Sequence, residues 1–475
     1  RLFCREWNLK IGKDLAYAYL SLPEMQISEY IWTMGIWESS PASIEICKSH
    51  QGLIHEFKNC LTDFSINDII GSPYSIFDYS PNSIICDSWN DLRIFREELN
   101  LAGKKLILDF VPNHLSVDSK WINLRPSAFL DHSSNFNPSN IDKNNFFHSS
   151  ERVLAHGRDP YFDGWTDTVQ YDFSHPESID LATEFLLKIA EYSDGVRCDM
   201  AMLPVADIFE KTHNKKGLPY WENIIPKIQE IYPNFLWIAE VYWGLEYLLQ
   251  TKGFHLTYDK SLYDRFQEED ADKTLGHLKA DINFQNKSLR FLENHDEKRA
   301  FDNFGIDTIV YWSILNFLNG GILIHEGQSK GYVKKIPVQL GRYPEEEPNS
   351  EILAFYLRSF DLLRKRKSLE YFEPEYFQYE NNPSEILTRI VFNTNHWEIL
   401  IWNPHDFIVS GRIKINLTLP ESIHLSDNCL FRDIIRNDYY SHNTKDIMEQ
   451  GLYFKLNPNQ SHWMVLHNSL TMSTV

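Results

Sequence analysis

The sequence predicts an α/β fold: a (β/α)8 TIM barrel with a short inserted subdomain after the third strand and a C-terminal antiparallel β-sandwich domain. Three observations predict it. Short apolar runs alternate with amphipathic stretches from residue 29 to about 330, as parallel βα units require. One connection, residues 115–165, is far longer than the others and rich in Asn, Ser, Asp, His and Pro. Connections of that length inside a compact domain are usually functional. From about residue 380 the helical pattern stops, and RIVFNTNHWEILIWNP, GRIKINLTLP and LYFKLNPNQSHWMVLH read as short strands between turn residues.

Seven barrel strands can be named in order: EYIWTMGIW (29–37), KKLILDFVPNH (104–114), DGVRCDM (194–200), FLWIAEVYW (235–243), GFHLTYD (253–259), FLENHD (291–296) and GGILIHEGQ (320–328). An eighth, the first in the chain, has to lie near LFCREWNL (2–9), where the signal is weak. Eight strands close a barrel. Periodicity alone also allows a doubly wound open sheet, although no GxGxxG follows a first strand. Between the strands, SIDLATEFLLKIAEY (178–192) places Leu181, Phe185, Leu186 and Ile189 on one helical face. ENIIPKIQEIY (222–232) and TIVYWSILNFL (308–318) read the same way, and EILAFYLRSFDLLRKRK (351–367) is the last barrel helix. The expected domains are therefore 1–114 with 166–375 for the barrel, 115–165 for the insert and 380–475 for the sandwich.

Composition narrows the partners. The 475 residues carry a net charge of −20, which opposes nucleic acid or an anionic membrane as a partner. No apolar run reaches the length of a membrane span. Aromatic residues make up 14%, which suits stacking on flat sugar rings as well as a large core. The six cysteines, Cys4, Cys47, Cys60, Cys86, Cys198 and Cys429, are scattered without CxxC or zinc spacing. Free thiols favour a reducing compartment, though the compartment itself stays open. The chain starts at Arg1 without Met, so a targeting segment trimmed from ahead of it is allowed for.

The strands become polar only at their downstream ends. These ends supply Asp109, Asn113 and His114, then Arg197 and Asp199, then Glu240, then His295 and Asp296. In a parallel barrel such ends converge on one face, where active sites lie. A single buried acid can be structural. Several acids at one mouth repel one another and make a poor stabilising device.

These stretches also carry a resemblance. DFVPNH, GVRCD, the glutamate of AEVYW, and ENHD resemble, in order and spacing, the four short signatures of the α-amylase family of glycoside hydrolases, family 13. YIWTMGIWESSP resembles that family's second strand, GSPYSIFDYSP the loop after it, QYDFSHPE (170–177) a fifth signature, and GGILIHEGQ the eighth strand. The resemblance implies a retaining enzyme acting on α-1,4-linked glucans or maltooligosaccharides. It makes Asp199 the nucleophile, Glu240 the general acid/base and Asp296 the third carboxylate, which holds sugar hydroxyls. All three would meet around one glucose unit.

The resemblance also implies that Arg197 keeps Asp199 ionised and aligned. Tyr74 stacks on the sugar, His114 and His295 bind its hydroxyls, and Asp109 braces the site. Arg299 reaches the sugar's far hydroxyls, and Trp243 forms an acceptor platform or simply packs. Met202 and Leu203 stand where the family's Lys-His usually follows the nucleophile, so Asn113 alone remains of the usual calcium shell. No cofactor is expected and calcium is disfavoured. Ser75 stands where exo-glucosidases have aspartate, and the eighth strand lacks the common acid after Gln328, so no subfamily is assigned. Two alternatives stay open: a transglycosylase or sucrose-acting relative, and a non-catalytic barrel that binds glycans or a protein.

Overall fold

The structure, a computed structural model, describes residues 1–134, 141–366, 370–372, 376–379, 385–393, 396–414 and 428–467. It divides into two compact units: Arg1–Tyr258 with Lys334–Glu346, and Asp259–Val333 with Glu347–Val475.

The first unit is built on five parallel strands: Tyr30–Thr33, Lys105–Phe110, Gly195–Cys198, Leu236–Ala239 and Leu256–Tyr258. They lie side by side in chain order, as successive βα units dictate. In the register, Asp109 faces Arg197, and Gly195 sits between Ile107 and Leu236. A Cβ on Gly195 would come within 2.7 Å of the Ile107 side chain and of both Leu236 Cβ and its carbonyl oxygen. Only glycine lets these three strands close there.

The Pro176–Tyr192 helix buries Leu181, Phe185, Leu186 and Ile189, the face the sequence predicts. Each such side chain contributes roughly 1.5–3 kcal/mol. At the two ends of the insert His114–Ser116 pairs with Thr168–Gln170, and within it Phe146–Ser149 pairs with Arg152–Ala155, both antiparallel. Residues 135–140 of the insert lie outside the described residues.

LFCREWNL is not a strand. Leu2–Glu6 is a helix, and among the described residues no strand precedes Tyr30. The physical reason is in the spacing: Phe3 and Trp7, four apart, pack ring to ring at 4.6 Å, and Tyr19 joins Phe3 at 4.9 Å.

The second unit holds two short parallel strands, Ser288–Arg290 and Gly321–Ile322. The sixth strand thus ends before FLENHD, not within it. Asn294 Oδ1 accepts hydrogen bonds from the amides of Asp296 (2.8 Å) and Glu297 (3.0 Å), which turns the chain there. The Thr308–Leu315 helix, amphipathic by expectation, is buried on every face.

Two antiparallel sheets follow in the same unit. One runs Glu370–Phe372, Leu387–Asn393, His396–Trp402, Ser461–His467, Asn428–Asp433, Tyr439–Asn443; the other runs Tyr376–Tyr379, Val409–Lys414, Leu452–Leu456. Ile390, Ile399, Ile401 and Met464 of the first share a core with Val409, Ile413, Phe454 and Leu456 of the second, which makes the predicted sandwich. A helix, Thr444–Gln450, interrupts the all-strand reading. The Asn443 side chain caps it, and Ile447 anchors it in the core. Lys367, residues 394–395 of the first predicted strand segment and 415–420 of the second lie outside the described residues.

Candidate active site

In the first unit, Arg197 is 1% exposed and lies at the centre of a charged cluster. Its Nη1 is 2.9 Å from Asp199 Oδ1 and 3.5 Å from Asp109 Oδ1, and its Nη2 is 2.7 Å from Glu240 Oε2. Its Nε donates to the Tyr258 hydroxyl at 3.3 Å. The rings of Trp32, Tyr74 and Tyr258 lie 5.0–5.6 Å from the guanidinium carbon. Burial alone disfavours the charged guanidinium. The acidic groups of Glu240, Tyr258, Tyr74 and Asp199 more than offset this and hold Arg197 above its ordinary pKa.

The backbone sets these distances. Asp199 N donates to Phe110 O at 2.8 Å and Glu240 N to Cys198 O at 3.0 Å, so both acids leave the ends of neighbouring parallel strands. Met200, just past Asp199, has φ +41°, a left-handed conformation costly for a side-chain-bearing residue. The turn lets Met200 N donate to Glu240 Oε2 at 2.8 Å. Tyr242 donates its hydroxyl to the other oxygen, Oε1, at 2.8 Å. Three carboxyl groups, those of Asp109, Asp199 and Glu240, thus crowd round one cation.

The remaining predicted residues of this unit fall as follows. Asp109 is buried against Arg197, and its carbonyl accepts from Trp37 Nε1 at 2.7 Å. The Tyr74 hydroxyl lies 3.0 Å from Met34 Sδ. His114 is buried beside Trp165, ring centroids 5.2 Å apart, and burial pushes its pKa down to about 3. Trp243 is 40% exposed at φ +65°, and its ring meets Tyr161 edge-on at 5.0 Å.

In the second unit, Asp296 has a side chain 49% exposed, and its Oδ2 lies 2.9 Å from Nε2 of the buried His295. Arg299 is buried. Its Nε meets Glu293 Oε1 at 3.0 Å, and its Nη2 donates to Glu326 O at 2.7 Å. Glu293, fully buried, also holds His325 Nδ1 at 2.9 Å and the Ala300 amide at 2.6 Å. Arg299 is thus spoken for by protein groups on two sides.

Several neighbours of these residues escaped the sequence reading: Tyr242, Trp32 and Tyr258 around the first cluster, and Glu293 with His325 around the second. Tyr242 left a usable signal. It lies two residues after Glu240 at a strand end, where alternation returns a side chain to the same face.

Asn113, the one residue left of a calcium shell, offers too few ligands for the ion, and its Oδ1 accepts from Gln170 Nε2 at 3.0 Å. Among the described residues, no group of three or more His, Cys, Asp or Glu side chains is arranged to hold a metal. Among the same residues, no helix is long and apolar enough to cross a membrane.

No protein-family model and no curated protein matches the chain. Solved structures do. An α-amylase from Geobacillus thermoleovorans, complexed with acarbose, aligns with a TM-score of 0.61 at 15% identity, over 96% of this chain and 91% of that one. A noncanonic maltogenic α-amylase from Thermotoga neapolitana aligns at 0.63 and 17%, over 95% and 93%. A debranching enzyme from Nostoc punctiforme, soaked with acarbose, aligns at 0.61 and 14%, over 96% and 88%. The likeness in fold agrees with the resemblance read from the short signatures. At these identities it establishes the architecture: the chain has the fold of the α-amylases, a (β/α)8-type barrel, seven of whose strands lie among the described residues, followed by an antiparallel β-sandwich.

Proposed function

We propose that the chain is a retaining α-glucoside hydrolase of the α-amylase family, acting on α-1,4-linked glucans or maltooligosaccharides. One observation carries the reading: Asp199 and Glu240, on adjacent parallel strand ends, are held by the two Nη atoms of a single buried guanidinium. Asp199 attacks the anomeric carbon while Glu240 gives its proton to the glycosidic oxygen. That oxygen keeps the electrons of the breaking bond, and the leaving sugar departs neutral. In the second step Glu240 takes a proton from water, the water oxygen bonds the anomeric carbon, and Asp199 is released. Two displacements retain the α configuration.

Tyr74 and His114 grip the sugar. Asp109 braces Arg197, and Arg299 acts by fixing Glu293 and the Glu326 carbonyl.

Soluble starch and maltoheptaose test the reading, with products followed by chromatography and by NMR of the first-formed anomer. Shorter α-configured sugars are expected. A folded enzyme that neither releases nor transfers sugar from any α-glucoside overturns the proposal and favours a glycan-binding role. The transglycosylase reading has one specific support. The exposed Trp243 ring, three residues past Glu240 and against Tyr161, offers a flat apolar face for an acceptor sugar. Products longer than the donor mark that outcome.

A further inference from the structure

We infer that Tyr242 is a positioning residue that makes Oε1 the oxygen on which Glu240 carries its proton. The inference rests on the acid/base reading of Glu240 and deepens it. Among the described residues, three groups hold this carboxylate. Arg197 Nη2 and Met200 N meet Oε2 at 2.7 and 2.8 Å, and the Tyr242 hydroxyl meets Oε1 at 2.8 Å.

The three differ in what they tolerate. A guanidinium N–H and a backbone amide can only donate, and a hydroxyl oxygen accepts from them far more weakly than a carboxylate oxygen does. A phenol hydroxyl both donates and accepts. Protonation at Oε2 would weaken the Met200 hydrogen bond and discharge the ion pair with Arg197. Protonation at Oε1 needs only a turn of the Tyr242 hydroxyl, which then accepts where it had donated. The Met200 amide that holds Oε2 lies at the turn where the chain leaves the strand.

When substrate arrives, the glycosidic oxygen replaces the tyrosine as acceptor. The proton passes from Oε1 to that oxygen as the C1–O electrons move onto it and an Asp199 oxygen bonds C1. Tyr242 then donates again and stabilises the carboxylate left behind.

Tyr242→Phe keeps the ring and removes the hydroxyl. Turnover of maltoheptaose, whose leaving group needs a proton, is expected to fall about 10- to 100-fold, within the range of a general-acid contribution. The first-turnover burst of fluoride from α-maltosyl fluoride needs little acid help and stays within about threefold of the parent. An equal fall on both donors means a structural or binding role and overturns the inference. No fall on either overturns it too. Melting curves report whether the variant is folded. Glu240→Gln, run alongside, separates the two levels: if it still cleaves maltoheptaose at the parent rate, the acid/base reading itself fails, whatever Tyr242→Phe does.

Discussion

Arg197 Nη1 stands 2.9 Å from Asp199 Oδ1, the residue that directly follows the short strand carrying Arg197. The pair is buried, and its worth depends on geometry, since desolvating two charges costs several kcal/mol per ion. The planar fork of the guanidinium spans two carboxylates at once, which an ammonium cannot do. Arg197→Lys is therefore expected to lower kcat at least 100-fold with the protein still folded. Arg197→Met leaves the acids without their cation and is expected to cost about 3–5 kcal/mol of stability. Steady-state kinetics and denaturant melts check the two.

The roles of Asp199 and Glu240 predict opposite stereochemistry on rescue. Glu240→Ala is expected to lose about 10²–10⁴ in turnover of unactivated glucan. With α-maltosyl fluoride and azide, that variant should give the α-azide, since the anion enters where the acid/base stood and displaces Asp199. Asp199→Ala with the same reagents should give the β-azide, formed in one displacement from the vacated nucleophile side. NMR of the azide product decides. The same anomer from both variants contradicts the assignment.

The legibility of this molecule followed sequence distance. Asp109, Arg197, Asp199 and Glu240 stood out because each ends an otherwise apolar strand, and the structure brings all four together. Arg299, in HDEKR, has the look of a surface residue. Its burial depends on Glu293 and on His325, whose interactions span far more chain than any local pattern covers. LFCREWNL reads as a strand by its apolar count, but it is short enough for an aromatic i,i+4 pair to outweigh that count. The sixth strand was set too late because FLENHD is apolar at its start, and the Asn294 turn that ends the strand lies in hydrogen bonds, not in hydropathy.

Two histidines of the first unit make stability fall with acid. Burial pushes the pKa of His114 from 6.5 down to about 3. Burial, with Arg158 and His132 adding to it, does the same to His213. The unfolded chain takes up these protons below about pH 6.5, while the folded chain refuses them until about pH 3. Their contribution is thus complete above pH 6.5. It declines across that window by up to about 1.4 kcal/mol per pH unit for each histidine. Urea melts at pH 7, 6 and 5 should show the decline, and His213→Asn should flatten it. An unchanged slope in the variant would remove His213 from the account.

Gly195 sets how closely the site's strands approach. It pairs with Ile107 on one side and Leu236 on the other, two residues before Arg197. An added methyl would lie 2.7 Å from Ile107 Cδ1, which can swing away, but also 2.7 Å from the Leu236 carbonyl, which cannot. The strand carrying Glu240 must therefore move. Overpacking of this kind costs about 1–3 kcal/mol. The larger effect should be on chemistry, because a shift of a few tenths of an ångström separates Arg197 Nη2 from Glu240 Oε2. Gly195→Ala is expected to lower kcat at least tenfold while KM changes little, at a temperature where the variant is fully folded. Equal loss of stability without any change in kcat would show that the strands yield elsewhere and that the charged cluster rides along intact.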